Sequence, residues 1–390
     1  MADFSLSAIS SQVLYLSIVF ILLVFPRALQ KYNIPAPLTC FALGMIVIFG
    51  VADYSNDTTL DFLSALGISS LFLFAGLEVN IQELKKGFWP LLNHLFLRCV
   101  GVFVFTWVGM SYFEFSMQVS GLIALALLTP STGFILESLA GLDLDENERF
   151  WVKSKAIAGE LLALLLLFVF LKSDSPSDLG TSSAVLLAIA FGLPFLFMFL
   201  GRIVIPFAPG SEFSLLIMVG LIAAYLTKQI GVYYLVGAFF TGFAARQLQQ
   251  RMPTLASDNN LHAVQLFASF FVPFYFFHGG MSVPGGALQW ESLWIGLAIT
   301  TALLPFRIGS VAVQRMYVNK DSTRSSFDVA IALTPTLIFT LVIASILHEK
   351  FGITDTLFGG LLVYAAITTI LPSFVLKKPL GLDVDNPPVH

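Results

Sequence analysis

The chain has 390 residues, of which 57% are hydrophobic and 11% charged, and its formal net charge is −4. Soluble domains carry about 25% charged residues, so a wholly water-covered surface is excluded and lipid must cover much of this one. The small net charge is spread along the chain and calls for no nucleic-acid partner.

A helix needs about 20 apolar residues to cross the hydrocarbon of a bilayer. Apolar runs between polar or Gly/Pro breaks predict an all-α integral membrane protein of about thirteen spans. The first three lie at 11–30, 36–52 and 60–79, the third ending at Glu78. No basic stretch precedes the first run, which reads as a span and not a signal peptide. The fourth, 90–113, contains His94, Arg98 and Cys99. With Cys40 in the second run, Cys99 reads as a packing residue; two thiols in apolar runs make no disulfide framework or metal site. The fifth, 117–139, is interrupted at Thr129-Pro130-Ser131-Thr132 and carries Glu137 near its end. The sixth, 151–171, holds Glu160 about mid-span. Four more follow at 183–205, 212–229, 231–250 and 262–283. The eleventh, 290–315, contains Arg307; the twelfth, 325–348, is broken at Thr334-Pro335-Thr336; the last is 354–376. No connection is long enough for a soluble domain, so residues 1–378 are expected to form one transmembrane domain and 379–390 a short cytoplasmic tail.

Charge supports that count and sets an orientation. With thirteen spans and the N-terminus outside, Lys172, Lys228 and Lys350 face out, and Arg98 and Arg307 lie within spans. All other Lys and Arg fall on the inner side, together with the C-terminus. Such a bias is what the positive-inside rule expects.

The two halves resemble each other. LALLTPSTGFILESL, from Leu125, aligns with IALTPTLIFTLVIASIL, from Ile331, so that Pro130 meets Pro335. FAGLEV, from Phe74, aligns with FHGGMSV at nearly the same offset, which pairs Gly76 with Gly280; Arg98 against Arg307 is a weaker third match. In the assigned topology the fifth span runs inward and the twelfth outward, so the repeat is inverted. Inverted repeats with helices interrupted at corresponding positions point to a secondary transporter site. Proline removes a backbone N–H, and a lipid-facing break would leave groups unpaired at several kcal/mol each, so both breaks must face protein or a wet cavity. Two antiparallel breaks that cross would bring opposite half-helix ends together. Oxygens of Thr129, Ser131, Thr132, Thr334 and Thr336 would then help hold a cation. Two ordinary proline kinks are the alternative.

Glu160 sits where an ionised carboxylate costs about 2.5–3.5 kcal/mol on insertion scales. It should face the bundle interior, neutralised by a proton or a cation that compete for it. Arg307 stays protonated, so it is no proton carrier; it either neutralises a carboxylate or holds helix C-terminal carbonyls at a break, the alternative to both being that it snorkels toward the inner interface. Arg98, nearer the inner end of its span, snorkels or does the same. Glu78 and Glu137 could line a cytoplasmic access funnel. No His/Cys/Asp/Glu cluster has metal-ligand spacing, and there is no Walker loop, Rossmann glycine pattern or nucleophile elbow. Neither an enzyme nor a cofactor is expected.

Several stretches together carry a family resemblance: IPAPLTCFALGMI, LFLFAGLEVNIQELKK, TPSTGFILESL, GVYYLVGAFFTGFAA and FVPFYFFHGGMSV, in that order. The chain resembles the bacterial monovalent cation:proton antiporters, the branch with sodium/proton exchangers and Kef-type potassium/proton antiporters. The resemblance implies a multi-pass protein of the cell inner membrane. It implies a homodimer with a scaffold and a mobile core that carries the cation in an elevator-like movement. In that family the sixth span bears an acidic pair, or Asn-Asp or Gln-Asp; here the position reads Gly159-Glu160. A single carboxylate implies one Na⁺ or K⁺ exchanged per H⁺, hence electroneutral exchange. Arg307 falls on the family's core Lys or Arg. A regulatory domain like that of the potassium efflux relatives would have to be a separate subunit. The same departure, Gly159-Glu160, favours the main alternative, a transport-silent sensor or scaffold subunit; a channel-like pathway with uncoupled conductance is a third reading.

Overall fold

Each of the thirteen predicted runs coincides with one or more helices in the computed structural model, which describes residues 11–32, 34–50, 57–173, 176–231, 234–249 and 257–376. Both candidate breaks are among the described residues; Lys377, Lys378 and the tail 379–390 lie outside them. The helices are α1 (Ser11–Leu29), α2 (Ala36–Gly50), α3 (Thr58–Leu77), α4 (Ile81–Lys86), α5 (Phe88–Tyr112) and α6 (Met117–Leu128). Next come α7 (Thr132–Ser138), α8 (Glu146–Lys172), α9 (Pro176–Phe199), α10 (Ile205–Phe207), α11 (Glu212–Gln229) and α12 (Tyr234–Gln247). The chain continues through α13 (Asp258–Met281), α14 (Trp290–Gln314), α15 (Thr323–Ala332), α16 (Leu337–Phe351) and α17 (Asp355–Val375).

Polar residues at the ends start these helices. The Asp57 carboxylate accepts from Thr59 and Leu60 N–H at the head of α3, and Ser257 and Thr354 cap α13 and α17. At α8 a full capping box forms: Asp145 accepts from Glu148 N–H at 2.7 Å, and Glu148 accepts from Asp145 N–H at 2.9 Å.

The expected count of thirteen crossings is not reached by helix length. Among the described residues ten helices are long and apolar enough to cross a membrane, eleven with the bent pair α15–α16. The shortfall lies in α2 and α12, whose 15 and 14 residues reach only about 21–22 Å at 1.5 Å per residue. The apolar runs read from sequence were longer there than the described helices.

Two groups of helices share the fold. In one, α3 packs on α12 and α13, α13 on α2, and α11 on α12. In the other, α14 packs on α17 and α15, α5 on α6, and α16 on α6 and α17, with α8 against α6 and α15. The first group is joined by backbone-to-backbone contact. A Cβ on Gly76 of α3 would lie 2.2 Å from the Phe239 carbonyl oxygen of α12; a Cβ on Gly280 of α13 would lie 2.1 Å from that of Phe41 on α2. These are the two glycines the repeat aligns, and each lets a pair of helices approach closely, as small residues do in membranes.

Adding one methyl group at either contact should therefore cost about 1–3 kcal/mol, the range for overpacking. Gly76→Ala and Gly280→Ala are expected to lower the melting temperature of the detergent-solubilised protein. Gly309→Ala on α14, where nothing lies within 4 Å of the added atom, is expected not to.

Candidate ion-binding site

Both predicted breaks are present. Helix α6 ends at Leu128, Thr129 is extended, and α7 starts after Ser131. Helix α15 ends at Ala332, Leu333–Thr336 is non-helical, and α16 leaves at a bend of 43°. Each break strands carbonyls at the end of one half-helix and N–H groups at the start of the next.

The two breaks satisfy each other. Ser131 N–H donates to the Pro335 carbonyl at 2.8 Å. The Ser131 hydroxyl oxygen accepts from Ile338 N–H at 3.0 Å and Phe339 N–H at 3.3 Å, the stranded donors of α16. Thr340 Oγ1 donates to the Ala126 carbonyl at 2.7 Å and the Tyr364 hydroxyl of α17 to that of Leu127 at 2.6 Å. Because 126 meets 340 and 131 meets 335, the broken chains cross antiparallel.

Two arginines take the remaining carbonyls. Arg98 donates to the Leu128 carbonyl at the end of α6. Arg307 donates to the Leu333 carbonyl at 3.1 Å, to that of Thr334 at 3.0 Å and to the Tyr364 hydroxyl at 2.8 Å. Each half of the repeat thus places one arginine on one half-helix C-terminus, where positive charge is favoured. Arg98 does not snorkel, and Arg307 holds carbonyls, the second of its two expected roles. Among the described residues no carboxylate forms an ion pair with either.

The threonines divide by partner. Thr334 donates to the carbonyls of Ile331 and Thr368, and Thr336 pairs with the Thr368 hydroxyl at 3.1 Å. With Ser131 these side chains are engaged in the crossing itself. Thr129 is buried beside them. Thr132 differs: its hydroxyl is buried and has no hydrogen-bond partner.

Glu160 comes to Thr132. It sits on α8 at 2% exposure, between the buried small residues Ala156, Gly159 and Ala163 that let the neighbouring helices close in. The N–H and hydroxyl of Thr132 face its carboxyl, yet Glu160 Oε2 makes no hydrogen bond. Glu160 Oε2 and Thr132 Oγ1 therefore stand together, buried, at the start of α7, and among the described residues no group other than Thr132 donates to the carboxyl. At Gly159 packing leaves room: a Cβ there would lie 3.5 Å from Pro130 Cγ and 4.0 Å from Arg98 Nε, ordinary contact distances.

Of the two expected funnel residues, Glu78 pairs with Lys153 at 2.5 Å, which ties α3 to α8, and it lines neither cavity at this end. Glu137 is on α7, and its side chain lies outside the described residues. A cavity of about 320 Å³ is lined by Arg27, Gln30 and His262 and also by Leu71, Phe74 and Gly133; one of about 220 Å³ shares Gln30 and Pro37 and touches Phe134 and Ser138. Both border α7, the first at Gly133, which follows Thr132 in the chain, and the second at Phe134 and Ser138.

Sequence reading set Lys155 and Arg315 at the inner surface, but tertiary packing covers both completely. Lys155 donates to the Gln314 side-chain oxygen, and Gln314 donates to the Pro90 carbonyl at 3.1 Å. Arg315 lies 2.7 Å from Asp321. The predicted sixth span, 151–171, already enclosed Lys155, which was the available signal.

Residues 16–380 match the family described as sodium/hydrogen exchanger, transmembrane. A Na⁺/H⁺ antiporter of Enterococcus hirae is 24% identical over 371 residues, 89% of this chain and 92% of that one. A probable Na⁺/H⁺ antiporter 3 of Methanocaldococcus jannaschii is 27% identical over 380 residues, covering 93% and 94%. The fold matches that of the sodium proton antiporter MjNhaP1 from the same archaeon with a TM-score of 0.68 at 14% identity, covering 94% and 96%. A family match over nearly the whole length, together with ten helices among the described residues that are long and apolar enough to cross a membrane, makes this chain a multi-pass membrane member of the transmembrane sodium/hydrogen exchanger family.

Proposed function

We propose that the chain exchanges a monovalent cation for protons, with Glu160 as the group both compete for. The observation that carries this reading is the buried pair Glu160 Oε2 and Thr132 Oγ1, neither of which has a hydrogen-bond partner elsewhere among the described residues. An unpaired carboxylate in the membrane interior has to be protonated or to hold a cation, and binding of one expels the other. Sodium is the ion in the names of the relatives; potassium would use the same oxygens. Thr129, Ser131, Thr334 and Thr336 act through the breaks by keeping the start of α7 in place, and Arg98 and Arg307 offset the two half-helix C-termini.

One titrating carboxylate supports one cation per proton and hence electroneutral exchange. Alternating access follows if α5–α8 and α14–α17 form a mobile core that slides against a scaffold of α1–α3 and α11–α13, in an elevator movement within a homodimer. The cavities that border α7 carry Arg27 and His262, and Arg27 lies on the side the basic residues mark as cytoplasmic, with the N-terminus outside. Gly159, where the family has a first polar or acidic residue, favours a second reading, a transport-silent subunit that keeps the fold.

Proteoliposomes with an internal pH dye decide between them. Na⁺ or K⁺ added outside should drive proton flux that falls to background in Glu160→Gln and does not respond to a clamped potential. Absence of cation-dependent flux from folded wild-type protein across a broad pH range would instead establish the silent subunit.

Gly159→Asp should fold, since its Cβ has room, and its carboxylate would meet Arg98. The expected exchange stays insensitive to potential because the new charge is neutralised; potential-driven flux in this variant would reveal a second proton carrier at 159.

Glu78 and Lys153 report on movement. A half-exposed pair of this kind contributes about 0–1 kcal/mol, so Glu78→Gln should change the rate by less than about fivefold. Glu78→Cys with Lys153→Cys, bridged by a bis-maleimide, is expected to stop exchange. Full activity of the bridged protein would rule out sliding of α8 past α3.

A further inference from the structure

Behind the crossing, between α5 and α14, lies another cavity of about 300 Å³. It is separate from the cavities that border α7. Leu97, Val100 and Val104 of α5 and Phe306 of α14 wall it, and each is 40–49% exposed on the outer surface of the helix bundle. In a bilayer that side faces acyl chains. Phe306 packs edge-on against Phe105 of α5 at 5.6 Å.

The floor of this apolar crevice is cationic. Arg98 and Arg307 both line it, and so does His94. His94 is 2% exposed, and its Nε2 is buried without a hydrogen-bond partner. Arg98 uses Nη1 on the Leu128 carbonyl, which leaves most of the five N–H donors of a guanidinium unspent. The charges that act on His94 are those of Arg98 and Lys155, and Arg98 in turn feels Arg307. Among the described residues no carboxylate forms an ion pair with Arg98 or Arg307. Arg98 lies about 15 Å along α5 and Arg307 about 10 Å from the end of α14 at 1.5 Å per residue, deep in a hydrocarbon layer about 30 Å thick. Intramembrane charges are normally paired; here the protein provides carbonyls for part of each guanidinium and leaves a net positive floor under an apolar opening.

We propose that this crevice binds an amphiphilic monocarboxylate, a fatty acid drawn from the bilayer, with its carboxylate on Arg98, Arg307 and His94 and its chain between α5 and α14. Charge complementarity selects the head: a carboxylate matches guanidinium N–H groups and forms short, charge-assisted hydrogen bonds. The apolar walls and the exposed mouth select the tail. A phospholipid would have to drag its glycerol and phosphate to the same depth, and a small inorganic anion would leave the walls uncovered. The proposal stands on this cavity alone and does not depend on exchange at Glu160.

The test is photo-crosslinking of the full chain in proteoliposomes with a diazirine-bearing fatty acid, mapped to peptides. Saturable labelling should fall on α5 and α14 around the crevice. Oleate should compete at least tenfold better than methyl oleate, which has the same chain without the charge. Arg98→Gln should weaken labelling about tenfold. Because that variant also removes a cap on α6, Val104→Trp serves as the second variant: it fills the mouth from an exposed position, leaves Arg98, Arg307 and His94 in place and should abolish labelling. Labelling spread evenly over the lipid-facing helices, equal competition by the methyl ester, or labelling unchanged in Val104→Trp would overturn the proposal. Competition by chloride at constant ionic strength would also overturn it, in favour of a small anion.

Discussion

Backbone polar groups have no water to turn to in the middle of a bilayer, and this structure interrupts two helices there. The rest of the core is arranged around that constraint. A break exposes carbonyls at one half-helix end and N–H groups at the next, each costing several kcal/mol if left bare in hydrocarbon. The antiparallel crossing pairs Ser131 with Pro335 and gives the stranded N–H groups of Ile338 and Phe339 a serine oxygen. Tyr364 and Thr368, both on α17, complete the crossing from the side.

Electrostatics follow from the same arrangement. Two half-helix C-termini meet in the core, and each receives a guanidinium. The positive charge this introduces exceeds what Glu160 alone could balance, with Lys155 buried nearby as well. Gly159 offers no counter-charge although its surroundings have room for one. The carboxylate that remains is set apart from the arginines and faces Thr132 at the head of α7, a place where the helix end favours negative charge and no donor occupies its outer oxygen. An acid and bases buried in one core without pairing to each other are a costly combination, and it persists where charge has work to do.

The other group of helices answers to a different demand. It contains no break and little charge, and its cohesion comes from backbone surfaces that touch through Gly76 and Gly280. Rigid contact on that side and a polar seam on the other give the two groups different mechanical character. Among the contacts that connect them, the Glu78–Lys153 pair is partly exposed, which makes it cheaper to break than the crossing.

Composition and apolar runs by themselves determined that the chain is a helical membrane protein, because too few charged residues exist to coat a soluble surface. The repeat of Thr-Pro-Ser and Thr-Pro-Thr located both breaks, since proline lacks the donor a helix needs, and mid-span position singled out Glu160. Only tertiary structure decided which side chains serve the crossing and which the carboxylate. Thr334, Thr336 and Thr132 look alike in sequence, but their partners come from α17 in two cases and from no donor in the third. Arg98 and Lys155 were the least legible. One-dimensional reading places a basic residue toward the nearer aqueous face, whereas the packing of α5, α8 and α14 closes over Lys155 and turns Arg98 onto a carbonyl contributed by a different helix. Burial and partner choice depend on what lies across the interface, and no local pattern carries that information.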